Sequence, residues 1–259
     1  MPVLGARGGR SAMAFGQGNG GFTAEAMALI ARMSPAPSYT RKVIINQLVA
    51  DLIAGGVWND LDVLYVYAAD AGANAKLNWK SSSYTAIGSP TFTTDRGFTG
   101  DGVSTYLTCG GYGPGVGQFA QNNHSYGAWV RASVFGTNMG VYDGGVPSGY
   151  TQIDQAQGID GGSLDSVAYG GSTGLLANSR QASLSWSAYR NGSLAGTKTG
   201  SNYAVPTYQF YVLAANAAGS SVFYSGSQVS AAFAGKGMDA TKMAALYNAL
   251  ARYMTSVGA

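Results

Sequence analysis

Charge is what this sequence has least of. Asp, Glu, Lys and Arg make up 10% of its 259 residues, where an ordinary soluble domain carries about 25%. Glutamate occurs once, as Glu25, so the Glu-x-Asp-x-Glu strand on which sandwich glycosidases hold two carboxylates about 5 to 5.5 Å apart is excluded. Aspartate does not replace it: Asp60 and Asp62 fall in a turn, and Asp160 and Asp165, five apart, would point to opposite faces of a strand. The single cysteine, Cys109, forbids an intrachain disulfide. The single histidine, His124, lies in a polar run away from it, which leaves a thiol nucleophile without a base and a histidine-rich zinc site without ligands. The apolar run nearest the N-terminus, residues 26–31, is bracketed by Glu25 and Arg32 and is too short for a signal core or a membrane span. These absences point away from an enzyme, from a bound cofactor and from membrane insertion.

Glycine and tyrosine are what the chain has in quantity, with 39 and 17 residues. Seven glycines fall in residues 1–37, and Pro35 and Pro37 close that stretch as a stiff linker. Within it Thr23 can cap a short helix whose first turn holds Glu25. Residues 1–42 carry five of the 15 basic side chains against Glu25 alone, so the modest basicity of the protein belongs to this end. The segment 1–37 is expected to be a flexible arm. It is either a solvated tail or a peptide that anchors the protein to a larger assembly, with Arg7, Arg10, Phe15 and Phe22 as the anchoring candidates. Spaced arginines without a basic face do not amount to a nucleic-acid footprint.

Residues 38–259 read as one mainly β domain with a helix at each end. Residues 40–54 place Ile44, Ile45, Leu48, Val49, Leu52 and Ile53 at helical spacing before Gly55-Gly56. Residues 63–67 form an apolar strand with little alternation, expected to be buried on both faces. Residues 183–190 alternate as a strand, and Asn191-Gly192 supplies the residues suited to a type I′ turn before a return strand at 193–199. Residues 208–214 and 228–233 are further strands, and a last helix is predicted from about Asp239 to Ser256. Its stripe of Met243, Leu246, Tyr247, Leu250, Met254 and Val257 should pack on the sandwich or on the helix at 40–54. Trp129 and Trp186, each on a strand, are expected to face one another in the core.

The Tyr189-Arg190-Asn191-Gly192 hairpin, the later strand and the terminal helix resemble the laminin-G-like branch of the concanavalin A-like jelly-roll sandwiches, over about residues 90–259. A second resemblance spans about residues 38–259. The succession Val57-Trp58, Leu64-Tyr65, Leu77-Asn78-Trp79-Lys80, Phe92 to Phe98, Gly100-Asp101-Gly102 and the closing Val257-Gly258-Ala259 is similar to a group of phage and prophage virion proteins. The resemblances imply a non-catalytic structural protein of the virion that displays a lectin-like sandwich, as a tail fibre or receptor-binding protein or as head decoration or a head fibre. Its partners would be other virion proteins through the arm, host surface glycans and further copies of itself in a homo-oligomer. A free carbohydrate-binding lectin is the alternative.

Ligand contacts are expected from tyrosines in glycine-rich surroundings, Tyr142, Tyr150 and Tyr169, with Asp143 and Asp160 beside them. Asp143, Asp154, Asp160 and Asp165 alternate with glycine, a pattern that suits either a loop calcium site or ordinary Asp-Gly turns.

Overall fold

The computed structural model describes residues 21–142, 148–152, 155–157, 166–199 and 204–259, with 148–152 and 155–157 described by their backbone alone. Four α-helices are present among them: α1 (Ala24–Ile30), α2 (Tyr39–Ala54), α3 (Gly72–Ala75) and α4 (Ala240–Val257). The first half holds strands β1 (Leu61–Val66), β2 (Ile87–Gly88), β3 (Thr91–Thr93), β4 (Gly97–Thr99), β5 (Leu107–Thr108), β6 (His124–Ala132), β7 (Thr137–Tyr142), β8 (Ser148–Gln152) and β9 (Gln155–Gln157). The second half holds β10 (Ser166–Ala168), β11 (Gly174–Ala182), β12 (Ser185–Arg190), β13 (Ser193–Thr199), β14 (Tyr211–Val212), β15 (Ala215–Ala217), β16 (Ser220–Val222) and β17 (Gln228–Gly235).

One sheet runs β13-β12-β11-β6-β17-β4-β3, with β1 beside β4 along the same edge of β17. The other runs β10-β9-β8-β7-β14-β5-β2 and carries the β15–β16 hairpin. Pairing is antiparallel except for β15 on β7. The two sheets face each other and the helices cover the outer face of the first, so the molecule has three layers: helices, the helix-side sheet and the outer sheet. This is the mainly β, concanavalin A-like sandwich with a terminal helix that the sequence implied.

The middle layer explains the strand sequences. In β1, Leu61, Leu64 and Val66 turn to the helices while Val63 and Tyr65 turn to the outer sheet. In β17, Ala231 and Phe233 face the helices, and Val229, Ala232 and Ala234 face the other way. A strand buried on both faces needs apolar residues at successive positions, as expected for residues 63–67. At about 25 cal/mol per Å² of apolar area removed from water, the two interfaces dominate the stability of the fold.

The helices end where their caps dictate. The side chains of Thr23, Ser38 and Asp239 accept hydrogen bonds from Ala26, Arg41 and Lys242 at the starts of α1, α2 and α4. Helix α4 stops at Gly258, whose φ of 73° lies in the left-handed region. Its apolar stripe packs on both expected partners at once, with Met243, Leu246, Leu250 and Met254 in one core with Leu48, Leu52 and Phe233. The Asn191-Gly192 turn has φ of 51° and 75°, the values of a type I′ hairpin. A Cβ on Gly192 would lie 2.9 Å from Ala244 Cα, so the turn rests directly on α4.

Three expectations are corrected. Residues 21–37 are part of the folded body rather than a free arm: Ala26 and Leu29 are fully buried in the helix-side core. The guanidinium of Arg32 donates to the carbonyls of Asn78 and Ser81, and Asn74 bonds to Ser34 and Pro35. Residues 1–20, with Arg7, Arg10 and Phe15, lie outside the described residues. Trp129 and Trp186 do not face each other, because they project from opposite sides of one sheet. Trp129 stacks on Tyr247 of α4 with ring centroids 5.7 Å apart, while Trp186 is buried with Val130, Leu176 and Tyr169. Only Tyr211 and Val212 of the apolar stretch 208–214 are strand, since Leu213, at φ 69°, reverses the chain.

Candidate functional site

Three loops meet at one end of the sandwich. They are residues 100–106 before β5, 133–136 between β6 and β7, and 223–227 before β17. The Val134 amide donates to Ser227 Oγ, which donates in turn to the Val134 carbonyl, each at 2.9 Å. The Thr137 amide donates to the Phe223 carbonyl at 2.9 Å. A Cβ on Gly100 would lie 2.0 Å from the Ser225 carbonyl oxygen, so this approach of two backbones requires glycine.

Asp101 orders the first loop. One carboxylate oxygen accepts from the amides of Val103, Ser104 and Thr105 at 2.9, 2.8 and 2.9 Å, and the other accepts from the Ser104 hydroxyl at 2.7 Å. The Ser104 amide foremost, with those of Thr105 and Val103, holds this carboxyl well below the usual carboxylate range although it is solvent-exposed. A loop ordered by its own aspartate presents its other side chains in a fixed array.

Those side chains build a tyrosine cluster. Leu107 and Val212 point inward into the core between the sheets, so Tyr106, Thr108 and Tyr211 lie on the outer face. Tyr106 packs on Tyr211 with centroids 4.6 Å apart and on Tyr224 at 6.1 Å. The hydroxyl of Tyr224 is hydrogen-bonded to Ser221. Burial, together with its bond to Tyr106, raises the pKa of the Tyr211 phenol above 10 and keeps it a neutral donor. Beside Tyr106 opens a groove of about 250 Å³, lined also by Ile87, Gly88, Ser89, Ser104, Thr105 and Thr108. A flat ring flanked by hydroxyls is the chemistry that stacks on and hydrogen-bonds to a sugar.

The rim of this end is apolar. Val103, Val134, Phe135 and Phe223 are 73%, 54%, 78% and 52% exposed, a clustering that marks interaction surfaces. Phe223 also holds φ at 53°, a conformation rare for a bulky residue and found where surroundings enforce it.

The residues singled out from sequence sit elsewhere. Tyr142 ends β7, half-buried, with Ala217 as its register partner. Tyr150 lies in β8, its Cα paired with Gly140 and Gln157. Tyr169 is 3% exposed and donates to Asn178 Oδ1 at 2.9 Å, so it belongs to a buried network with Tyr126 rather than to an open loop. Phe22 packs edge-on against Tyr39 of α2, at 6.4 Å between centroids. Asp143, Asp154, Asp160 and Asp165 lie outside the described residues, and among the described residues there is no cluster of three His, Cys, Asp or Glu able to hold a metal. Sequence reasoning missed Tyr106, Tyr211 and Tyr224. The Asp101-Gly102-x-Ser104-Thr105 turn signal beside Tyr106 was the available clue.

The described aspartates are tied into structural contacts. Asp51, Asp60 and Asp95 pair with Arg252, Lys242 and Arg41. Asp62 accepts from the Tyr112 hydroxyl and the Gln118 amide, Asp70 from Asn74, and Asp239 caps α4. Burial pushes the Cys109 thiol up to about 12 and His124 down to about 4. Gly170-Gly171-Ser172-Thr173-Gly174 has the spacing of a nucleophile elbow, but it joins β10 to β11, two strands, where an elbow needs a strand-to-helix turn.

No protein-family model matches the chain and no curated protein matches it in sequence. Its fold is similar to that of solved structures. One is a mutant of Trypanosoma rangeli sialidase displaying trans-sialidase activity, with a TM-score of 0.55 at 14% identity over 83% of this chain and 38% of that one. Another is the botulinum neurotoxin serotype D binding domain, with a TM-score of 0.52 at 11% identity over 74% of this chain and 52% of that one. A third is Trypanosoma rangeli sialidase in complex with sialic acid, with a TM-score of 0.51 at 12% identity over 73% and 33%. The chain thus spans about half the length of these proteins or less. At such identities the likeness is one of fold, and that fold is a lectin-like β-sandwich.

Proposed function

We propose that this protein is a non-catalytic glycan-binding module displayed on the surface of a phage particle, where it contacts host surface carbohydrate as one of several copies. The observation that carries the binding half is the Tyr106–Tyr211–Tyr224 cluster, opening on a hydroxyl-lined groove at an end of the sandwich ordered by Asp101. The likeness of fold to a toxin binding domain supports it. The commitment of every described aspartate to a structural partner supports a role without catalysis. The virion half rests on the similarity of residues 38–259 to phage and prophage virion proteins.

A glycan array probed with the full chain tests the first half, and binding that disappears in Tyr106→Ala is the expected result. Array-wide silence would remove the glycan reading. Gold-labelled antibody against residues 38–259, applied to particles from the source lysate, tests the second half. Gold on the tail tip would identify a receptor-binding part and gold over the head a decoration or head fibre, whereas unlabelled particles would remove the virion reading.

A further inference from the structure

The groove beside Tyr106 combines three hydroxyl-bearing types, Ser, Thr and Tyr, and lacks an ionised side chain in its lining. The one ionised group in the loop that forms its wall is Asp101, whose two oxygens are already engaged by Val103, Ser104 and Thr105. Lys76 is the cation tied to this wall. Its ammonium donates to the Gly88 carbonyl at 2.6 Å and sits over the Phe98 ring, a residue of the core between the sheets. The cations Arg41, Lys242 and Arg252 belong to the helix layer, each paired with an aspartate.

The sequence extends this pattern beyond the groove. Residues 102–130 and 199–235, which supply β5, β14, the loop 223–227 and the first loop beyond Asp101, contain no Asp, Glu, Lys or Arg; Arg131, the exposed cation beside the loop 133–136, donates to Gln228 Oε1 at 2.9 Å and is not part of the groove's lining. Residues 132–179 contain four aspartates and no lysine or arginine. A carboxylate or sulfate brought here would lose hydration without meeting, in the groove's lining, the arginine fork that recognises such groups elsewhere.

We propose that this groove takes an uncharged glycan and rejects acidic ones; the inference rests on the reading of the groove as a glycan site. Hydroxyls that both donate and accept match the hydroxyls of a neutral sugar, and the Tyr106 ring supplies the apolar platform. Affinity of this kind does not depend on ionic strength.

The test is an array printed with neutral glycans (glucans, galactans, mannans and N-acetylhexosamine oligomers) and acidic ones (sialylated, uronic-acid and sulfated), probed at low and high salt. The full chain is compared with Tyr106→Ala and with Ser89→Trp, which fills the groove from an exposed position; thermal melts establish that both variants fold. The expected result is salt-insensitive binding to neutral glycans that falls about tenfold or more in both variants, a loss equivalent to about 1.4 kcal/mol. Acidic glycans bound in a salt-sensitive manner and lost in the same variants would overturn the inference while leaving a glycan site in place. Binding that neither variant affects, or none at all, would overturn both.

Discussion

Arg41 of α2 reaches Asp95, in the turn between β3 and β4, at 2.5 Å, and its guanidinium also donates to the hydroxyl of Tyr253 on α4 at 3.3 Å. Tyr253 donates in turn to the Ala68 carbonyl at 2.9 Å. One arginine therefore joins two helices to the sheet they cover. Both side chains of the ion pair are largely shielded, at 12% and 26% exposure, so salt screens the contact less than a surface pair. Arg41→Met is expected to lower unfolding free energy by about 1 to 3 kcal/mol. Urea denaturation of the single variants and of Arg41→Met with Asp95→Asn should give a coupling that persists in high salt; additive losses would show that the pair contributes nothing of its own.

His124 makes stability depend on acid. Burial foremost, and the neighbouring Arg180, hold its pKa near 4 against an ordinary 6.5, while the bond to the Ala120 carbonyl acts the other way. The folded value is depressed, so the unfolded chain takes up the proton first and stability falls as pH drops from 6.5 to 4. The full loss is roughly 3 kcal/mol. Above 6.5 the contribution is complete and flat. Melting temperatures measured across this range should fall less in His124→Phe, which retains a ring against Phe119; parallel curves would remove the assignment.

Asp101→Ala should affect recognition more than folding. Its carboxylate organises an exposed loop, not the core, so amide exchange at Val103, Ser104 and Thr105 is expected to accelerate with little change in melting temperature. Glycan affinity should fall by about tenfold. Unchanged exchange at those three amides would mean that the loop is held by other contacts.

Gly192→Ala tests the hairpin against the helix. The residue has φ of 75°, and an added Cβ would approach Ala244 and Tyr247 at 2.9 and 3.0 Å. Strain and overpacking together should cost about 2 to 4 kcal/mol, visible as a lowered denaturation midpoint. A loss under about 0.5 kcal/mol, the range of ordinary surface substitutions, would mean that α4 yields at this point.

Tyr169→Phe separates the tyrosine that stood out in sequence from those brought together in space. It removes one buried hydrogen bond to Asn178 and should cost about 1 kcal/mol or slightly more, with glycan binding unaltered. Loss of binding with unaltered stability would return Tyr169 to the site.

What could be read from the residues was local. The cap at Thr23, the left-handed Gly56 and the Asn191-Gly192 turn are decided within a few positions, and the two long helices and the hairpin appear within one or two residues of expectation. The two tryptophans misled because alternation fixes a residue's side of its own strand but not which side of the sheet faces the partner sheet. The end of the supposed arm misled because Pro35 and Pro37 look like a linker, whereas Arg32 and Asn74 tie that stretch to residues about forty or more positions away. The tyrosine cluster was illegible for the same reason. Tyr106 and Tyr211 are neighbours only through the pairing of Thr108 with Tyr211, a register set by which strands happen to adjoin.

Strand β17 has β6 on one edge and β1 with β4 on the other. During synthesis the middle sheet therefore has a vacant slot at its centre until residues 228–235 leave the ribosome. Before that, β1 has no partner strand and β4 has only β3, and the unpaired edges of β1 and β6 remain open to unwanted pairing. Closing the slot joins segments more than 160 positions apart, the kind of distant contact that slows folding. The middle of the fold is therefore completed last, and a chain interrupted before β17 would lack the middle of its sheet rather than one side of it.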